Sequence, residues 1–289
     1  MRPSRRFTQL DVFADRPGAG NPLAVVIDAD GIDDQSMQAF ANWTNLSETT
    51  FLLPPTSPQA SYRVRIFTPR QELPFAGHPS VGSAHAALEA GLALPGDGRL
   101  VQECAAGLLP VRVDGVGAAR RIFVRAPRGR VVTIDVAETS WLGVLDGLAL
   151  GALPAALIDN GPRWWLVELA DENTLRLMVP DLAAITRLTE ATGAVGLAVF
   201  AHCDNSAYQL AVRAFCPADG IPEDPVTGSA NAAIAAWLHH NKALRSRQYT
   251  ASQGREIGRD GLVRVEVDDE GEAWIGGQTQ TIVNGTLDW

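Results

Sequence analysis

The stretch HPSVGSAHAALEAGL, residues 78–92, returns without a gap as DPVTGSANAAIAAWL, residues 224–238. The offset is 146 (224 − 78). Pro79, Gly82, Ser83, Ala84, Ala86, Ala87 and Ala90 meet Pro225, Gly228, Ser229, Ala230, Ala232, Ala233 and Ala236, while His78 meets Asp224. The repeat extends upstream. Tyr62-Arg-Val-Arg-Ile-Phe-Thr-Pro69 matches Leu210-Ala-Val-Arg-Ala-Phe-Cys-Pro217 once a two-residue gap is allowed. Apolar alternation that ends at a proline predicts a strand. Each copy therefore reads strand, tight Pro/Gly loop, Ala-rich helix. A fainter echo pairs Gly20–Val26 with Asn160–Leu166, both turn-then-strand patterns. Two long copies point to two similar halves rather than to a solenoid, whose repeats are roughly 20–50 residues and more numerous.

The chain has 289 residues, enough for two ordinary domains. Hydrophobic residues make up 46% and charged residues 20%, a composition that buries a core. The net charge of −9, without a Lys/Arg cluster, argues against nucleic acid and anionic membrane as partners. Cys104, Cys203 and Cys216 are widely spaced, so neither a zinc ribbon nor a disulfide framework is expected, and a reduced, cytoplasmic setting fits. Met1-Arg-Pro-Ser-Arg-Arg6 resembles a twin-arginine signal only superficially, because Asp11 and Asp15 stand where an apolar run would follow. The apolar stretch 142–158 contains Asp146 and Pro154, is too short to span a bilayer, and reads as core helix or loop.

Along the first half, strands are expected at 9–14, 23–27 and 51–53 and a helix from an Asp33 N-cap through about Thr44. The first repeated helix is expected to run on through 84–94, and strand pairs broken by Gly107, Gly115 and Gly117 to fill 99–125. In the second half, strands are expected near 164–169, 196–200, 209–215, 262–267 and 272–283, with helices near 181–192 and from Pro225. The boundary falls near 118–125, giving halves 1–120 and 121–277, with 278–289 a candidate to complete the first.

A helix start leaves about four backbone N–H groups unpaired and carries roughly half a positive charge. Pro79 and Pro225 suit first helical positions, and Gly82, Ser83, Gly228 and Ser229 are small enough for a ligand to approach the backbone. Pro, Gly and Ser also serve merely to start helices. Two matched copies, each headed by an ionisable residue, favour a pair of facing mouths that hold a carboxylate-bearing molecule. Glu48 lies in the polar turn Asn45–Thr50 between a helix and an apolar strand. Enclosed in a pocket, such a carboxyl group becomes a usable general base and acid. The corresponding junction near Val195 and Gly196 has no acid, which fits a single proton carrier. His78 and Asp224 then hydrogen-bond substrate and fix protonation states; Asp224 alternatively just N-caps its helix. The sequence lacks GxxxxGK[ST], HExxH and GxSxG, and Gly115-Val-Gly-Ala-Ala-Arg120 is a weak dinucleotide signal. No metal and no cofactor is expected; acid–base chemistry remains.

DVFADRPGAGNPLAVV, NLSETTFLL, RIFTPRQELPFAGHPSVGSAHA and FCPADGIPEDPVTGSANAAIAAWL together resemble the phenazine-biosynthesis PhzF-like family over most of the chain. The resemblance implies a diaminopimelate-epimerase-like α+β fold of two pseudo-symmetric halves, each a mostly antiparallel β-barrel around a central helix, with the active site between them. It implies a cofactor-independent isomerase of the type that acts on trans-2,3-dihydro-3-hydroxyanthranilate. In that reaction the Glu of NLSET, here Glu48, carries the proton, assisted by His78 and Asp224. It implies substrate contacts at Asn21, Ser47, Gly77, Gly228 and Ser229, and a homodimer. The related racemases use two cysteines at the helix mouths; here those regions hold His78 and Asp224. An epimerase working through Glu48 and Asp224, and a non-catalytic metabolite-binding protein, are the alternatives.

Overall fold

The structure, a computed structural model, describes residues 4–134, 141 and 143–289. The chain is a mixed α/β protein that divides into two compact units, Met1–Arg125 with Gly276–Trp289, and Ala126–Ile275. The first unit opens with β1 (Arg5–Val12) and β2 (Asn21–Val26), followed by α1 (Asp34–Thr44), β3 (Thr49–Leu53), β4 (Tyr62–Phe67) and the short β5 (Glu72–Leu73). Then come α2 (Gly77–Glu89), β6 (Arg99–Cys104), β7 (Gly107–Asp114) and β8 (Arg121–Arg125). The second unit contains β9 (Arg130–Val132), β10 (Ala156–Asp159), β11 (Arg163–Glu168), α3 (Glu172–Leu177) and α4 (Leu182–Thr192). It continues with β12 (Gly196–His202), β13 (Leu210–Cys216), β14 (Ile221–Asp224), α5 (Gly228–His240), β15 (Gln248–Gln253) and β16 (Gly261–Val267). After β17 (Ala273–Gly277), the last strand, β18 (Thr279–Leu287), lies antiparallel to β1 along its whole length.

The two units use the same order of ladders. In the first, β1/β2 is antiparallel, β2/β3 parallel, β3/β4 and β4/β5 antiparallel, β4/β6 parallel and β6/β7 antiparallel. In the second, β10/β11 is antiparallel, β11/β12 parallel, β12/β13 and β13/β14 antiparallel, β13/β15 parallel and β15/β16 antiparallel. Each parallel step requires a crossover. In each unit one crossover is the Ala-rich helix of the repeated stretch, α2 or α5.

Why these two helices are core elements follows from their composition. Nine of the thirteen residues of α2, from His78 to Ala87, are buried, and α5 buries nine as well. A helix apolar all round must be covered all round. Small side chains let strands approach closely: a Cβ on Gly82 would stand 2.5 Å from Leu23 Cδ2 and 2.8 Å from Val12 Cγ2. Both helices end in the same hydrogen-bonded device. Leu92 N–H reaches Ala87 C=O and Gly91 N–H reaches Leu88 C=O, with Gly91 at φ 69°; Ala243 N–H reaches Leu238 C=O and Lys242 N–H reaches His239 C=O, with Lys242 at φ 56°. The first of these stops α2 at Glu89, short of the expected 94, because the left-handed residue turns the backbone away.

Other boundaries follow local chemistry. The Asp33 carboxylate accepts the Ser36 N–H at 2.7 Å and starts α1, as the sequence predicts. The expected terminal strand at 272–283 is two strands, broken at Gln278. Of the apolar stretch 142–158, Leu142 lies outside the described residues, as do residues 1–3; the described part, 143–158, is turn and loop that ends in β10. Among the described residues no helix is long and apolar enough to cross a membrane.

Candidate active site

Glu48 is held by the end of α1. Asn45 takes a left-handed conformation (φ 52°) and its N–H bonds the Ala41 carbonyl, so the chain turns out of the helix. The Thr44 and Thr49 hydroxyls then meet at 2.8 Å, pinning the entrance to β3 immediately after Glu48. His78 is the second residue of α2, next to Gly77, the first. This places His78 Nε2 3.4 Å from Glu48 Oε2, with side chains only 6% and 16% exposed, respectively. The separation is an ion-pair distance, yet burial holds the imidazole pKa down to about 3. At neutral pH the ring is therefore uncharged, and a carboxyl group faces a neutral imidazole whose Nε2 makes no hydrogen bond among the described residues. Beside them the Ser47 hydroxyl donates to Asn21 Oδ1 at a long 3.4 Å; Asn21, the first residue of β2, is fully buried. The five first-unit candidates thus form two contacts, Glu48–His78 and Ser47–Asn21, joined through adjacent residues, with Gly77 alongside.

In the second unit Asp224 does not head a helix. It is the last residue of β14, Pro225 and Val226 form a bend, Thr227 is the N-cap position, and α5 starts at Gly228. The expected helix start at Pro225 and the N-cap reading of Asp224 are both corrected. Likewise Pro79 is the third helical residue of α2, not the first. The physical reason is a competing set of side-chain bonds. The Thr227 hydroxyl donates to Asp224 Oδ2 at 2.5 Å. Buried Gln253 donates to the Asp224 carbonyl at 3.0 Å and to the Thr227 hydroxyl at 2.9 Å, and accepts the Thr227 N–H at 3.0 Å. Asn231 adds bonds to Gln253 and to the Thr227 carbonyl. Together these hold residues 224–227 extended. Gly254 completes the latch, since any Cβ there would lie 2.5 Å from the Pro225 carbonyl oxygen. A related device operates in the first unit, where Gln102 donates to Ser80 and accepts from Tyr62, both at about hydrogen-bond length (3.0 and 3.1 Å).

Three of the four small residues are engaged within their own unit. Gly82 leaves room for Leu23 and Val12, and the Ser83 hydroxyl bonds Thr50 at 2.9 Å. Ser229 accepts the Trp164 indole N–H at 3.1 Å through its hydroxyl, and its carbonyl accepts from Asn160. Gly228 is buried as the first residue of α5. Gln253, Thr227 and Asn231 are not legible as site-forming residues: Ser252 and Gln253 end a strand whose polar residues alternation does not reveal. The dipeptide Gln253-Gly254 at a turn was the available signal.

Charge around Asp224 is also organised. Its neighbour Glu223 takes a bidentate pair of bonds from buried Arg213, at 3.0 and 2.9 Å, and Arg213 also bonds the Leu175 and Met178 carbonyls. This ties β13, β14 and the end of α3 together. Burial pushes the Cys203 thiol up to about 12 and raises Cys104 as well, so neither carries a thiolate at neutral pH. Among the described residues no group of three or more His, Cys, Asp or Glu side chains could hold a metal ion.

With this geometry in view, comparison with known proteins places the chain. A family model described as "Phenazine biosynthesis-like protein" matches residues 10–285. Antisense-enhancing sequence 1 of Schizosaccharomyces pombe is 34% identical, with 96% of this chain and 97% of that protein covered. The trans-2,3-dihydro-3-hydroxyanthranilate isomerase of Pseudomonas aeruginosa is also 34% identical, with 92% of each covered. The crystal structure of a Bacillus anthracis phenazine biosynthesis protein of the PhzF family superposes with a TM-score of 0.84 at 26% identity, covering 99% of both chains. The chain belongs to the phenazine biosynthesis-like, PhzF-type family. It is an enzyme of the isomerase class.

Proposed function

We propose that this protein moves a proton within a small carboxylate-bearing metabolite, with Glu48 as the sole carrier and without a cofactor. The observation that carries the reading is the enclosed Glu48 carboxyl group 3.4 Å from a neutral, buried His78. In the proposed reaction the Glu48 carboxylate takes a C–H proton from carbon flanked by a double bond and becomes a carboxylic acid. The electron pair delocalises, the double bond shifts, and Glu48 returns the same proton to a second carbon, regenerating the carboxylate. No atom is gained or lost. General acid–base participation of this kind is typically worth about 10²–10⁴ in rate. Uncharged His78 suits an orienting role, because a neutral ring leaves Glu48 free to gain and lose a proton without an ion pair to break. Asp224, held by Thr227 and Gln253, is proposed as the supporting acid that hydrogen-bonds substrate. In the same reading each unit closes its strands as a barrel around its Ala-rich helix, and Asn21, Ser47, Gly77, Gly228 and Ser229 contribute substrate contacts. The protonated state of Cys203 and Cys104 weighs against a two-thiol racemase.

The named substrate of the 34%-identical Pseudomonas aeruginosa relative, trans-2,3-dihydro-3-hydroxyanthranilate, is the first compound to supply. The reading expects double-bond migration monitored by ultraviolet absorbance, with Asp224→Asn slower than wild type. Inversion of a stereocentre with the double bond unmoved would instead establish an epimerase.

A further inference from the structure

The strand that carries Asp224 has an irregular ladder. β14 pairs with β13 at Ala214↔Asp224 and at Cys216↔Ile221. Two steps along β13 (216 − 214) face three along β14 (224 − 221), so β14 holds one extra residue. Pro222, inside the irregular part, has no N–H to give to the ladder. The strand then ends in two adjacent acids, Glu223 and Asp224. Both are buried: the Glu223 side chain is 7% exposed and Asp224 8%. Neighbouring side chains of a strand point to opposite faces, so a slip of one residue would exchange the two acids.

Arg213 supplies the hold that the ladder lacks. It adjoins Ala214 on β13, and every nitrogen of its buried guanidinium is committed. Nε and Nη2 donate to the Glu223 carboxylate, while Nη1 donates to the Met178 carbonyl at 2.6 Å and the Leu175 carbonyl at 3.2 Å. The Phe215 ring centroid is 5.1 Å from the guanidinium carbon. A planar fork fixed on its far side by two backbone carbonyls accepts a carboxylate in one place. It takes Glu223 and leaves Asp224 opposite Ala214, where the Thr227 hydroxyl bonds it.

The first unit repeats the device without the choice. Arg65 on β4 lies 5.1 Å from the Phe67 ring centroid and forks Glu72, both bonds at 2.7 Å. There β4 and β5 pair without a shift, at Ile66↔Leu73 and Phe67↔Glu72, and Glu72 has no acidic neighbour in the chain. The Arg65 fork is also the more exposed one. The copy that must discriminate between two acids is the copy that is buried and anchored to carbonyls.

We propose that Arg213 is a positioning residue: it sets the register of β14 so that Asp224, and not Glu223, is presented to Thr227 and Gln253. The effect on catalysis rests on the reading of Asp224 as the supporting acid; the register does not.

Two measurements on the full-length chain test this. The first compares ¹H–¹⁵N spectra of wild type, Arg213→Lys and Arg247→Lys. Lysine keeps the charge and loses the fork. Arg213→Lys is expected to displace the amides of Asp224, Thr227 and Gly228, whereas Arg247→Lys, which alters an exposed pair with Asp269, leaves them in place. The second is a double-mutant cycle on turnover of trans-2,3-dihydro-3-hydroxyanthranilate, or of whichever small carboxylate wild type converts. Arg213→Lys should lower kcat about tenfold to a hundredfold, the cost of a misplaced group, and should cost less than about twofold once Asp224 is Asn. A merely structural role would cost the same in both backgrounds. Should Arg213→Lys fail to fold, Glu223→Gln, which removes the charge that the fork grips, takes its place under the same criteria. The proposal is overturned if the three amides keep their wild-type positions, or if the losses from Arg213→Lys and Asp224→Asn multiply. Asp224→Asn at the wild-type rate would refute the supporting-acid reading and the catalytic effect with it, while the amides still decide the register.

Discussion

Acidification should destabilise this protein through His78 in a way that reports the charge state of the Glu48–His78 contact. The folded ring titrates near 3, well below the ordinary 6.5, because it is buried. The unfolded chain therefore binds the extra proton first. Stability is fully present above about pH 6.5 and declines as pH falls toward 3. At pH 4.5, two units below 6.5, the loss relative to pH 7.5 is roughly 2.7 kcal/mol at 1.36 kcal/mol per unit. His85 and His202 are also depressed by burial and act in the same direction, so the quantity to measure is a difference between proteins. Urea denaturation of wild type and His78→Gln at pH 7.5 and 4.5 isolates the His78 share. The expected outcome is that wild type loses roughly 2–3 kcal/mol more than the variant over this interval. A charged His78–Glu48 ion pair would raise the folded pKa and reverse the sign, with stability gained on acidification through neutrality. Equal pH dependence in both proteins, or that reversal, refutes the neutral-imidazole argument.

Gln253→Leu should cost roughly 2–4 kcal/mol, since it strips partners from the Thr227 N–H, the Asp224 carbonyl and the Thr227 hydroxyl in a buried setting; urea midpoints measure it, and a loss under 0.5 kcal/mol would show the latch unimportant. Gly82→Ala should destabilise by about 1–3 kcal/mol through overpacking against Leu23 and Val12. Gly96→Ala, where an added Cβ meets nothing within 4 Å, is the matched control and should stay within about 0.5 kcal/mol of wild type.

How far the sequence carries the fold can be judged from particular elements. Elements with strong local signals were legible: the Asp33 cap of α1, β12 as an unbroken apolar run, and the β6–β7–β8 set punctuated by glycines. β15 is hard to read from the sequence because Thr-Ala-Ser-Gln carries little strand signal; its place is set by pairing with β13 and β16. α3 is six residues long, too short for periodicity to declare itself. The repeat at offset 146 aligned His78 with Asp224, yet α2 and α5 begin 151 residues apart (228 − 77). Five residues of helix start are lost to the Gln253 latch, a tertiary interaction that no local reading contains. For the same reason Ser83 and Gly82 read as ligand-facing when their partners, Thr50 and Leu23, are strand residues far off in sequence. Glu48 and His78 were legible as individual residues; their 3.4 Å approach is a product of the fold.

The most direct measurement is deuterium incorporation by nuclear magnetic resonance when wild type, Glu48→Gln and Glu48→Asp are incubated in D₂O with trans-2,3-dihydro-3-hydroxyanthranilate, or with whichever small carboxylate wild type converts. Proton carriage by Glu48 predicts that the Gln variant folds as wild type and loses at least about 10²-fold in turnover, with partial activity in the Asp variant. A Glu48→Gln protein that converts the same compound within a few-fold of the wild-type rate would contradict the account.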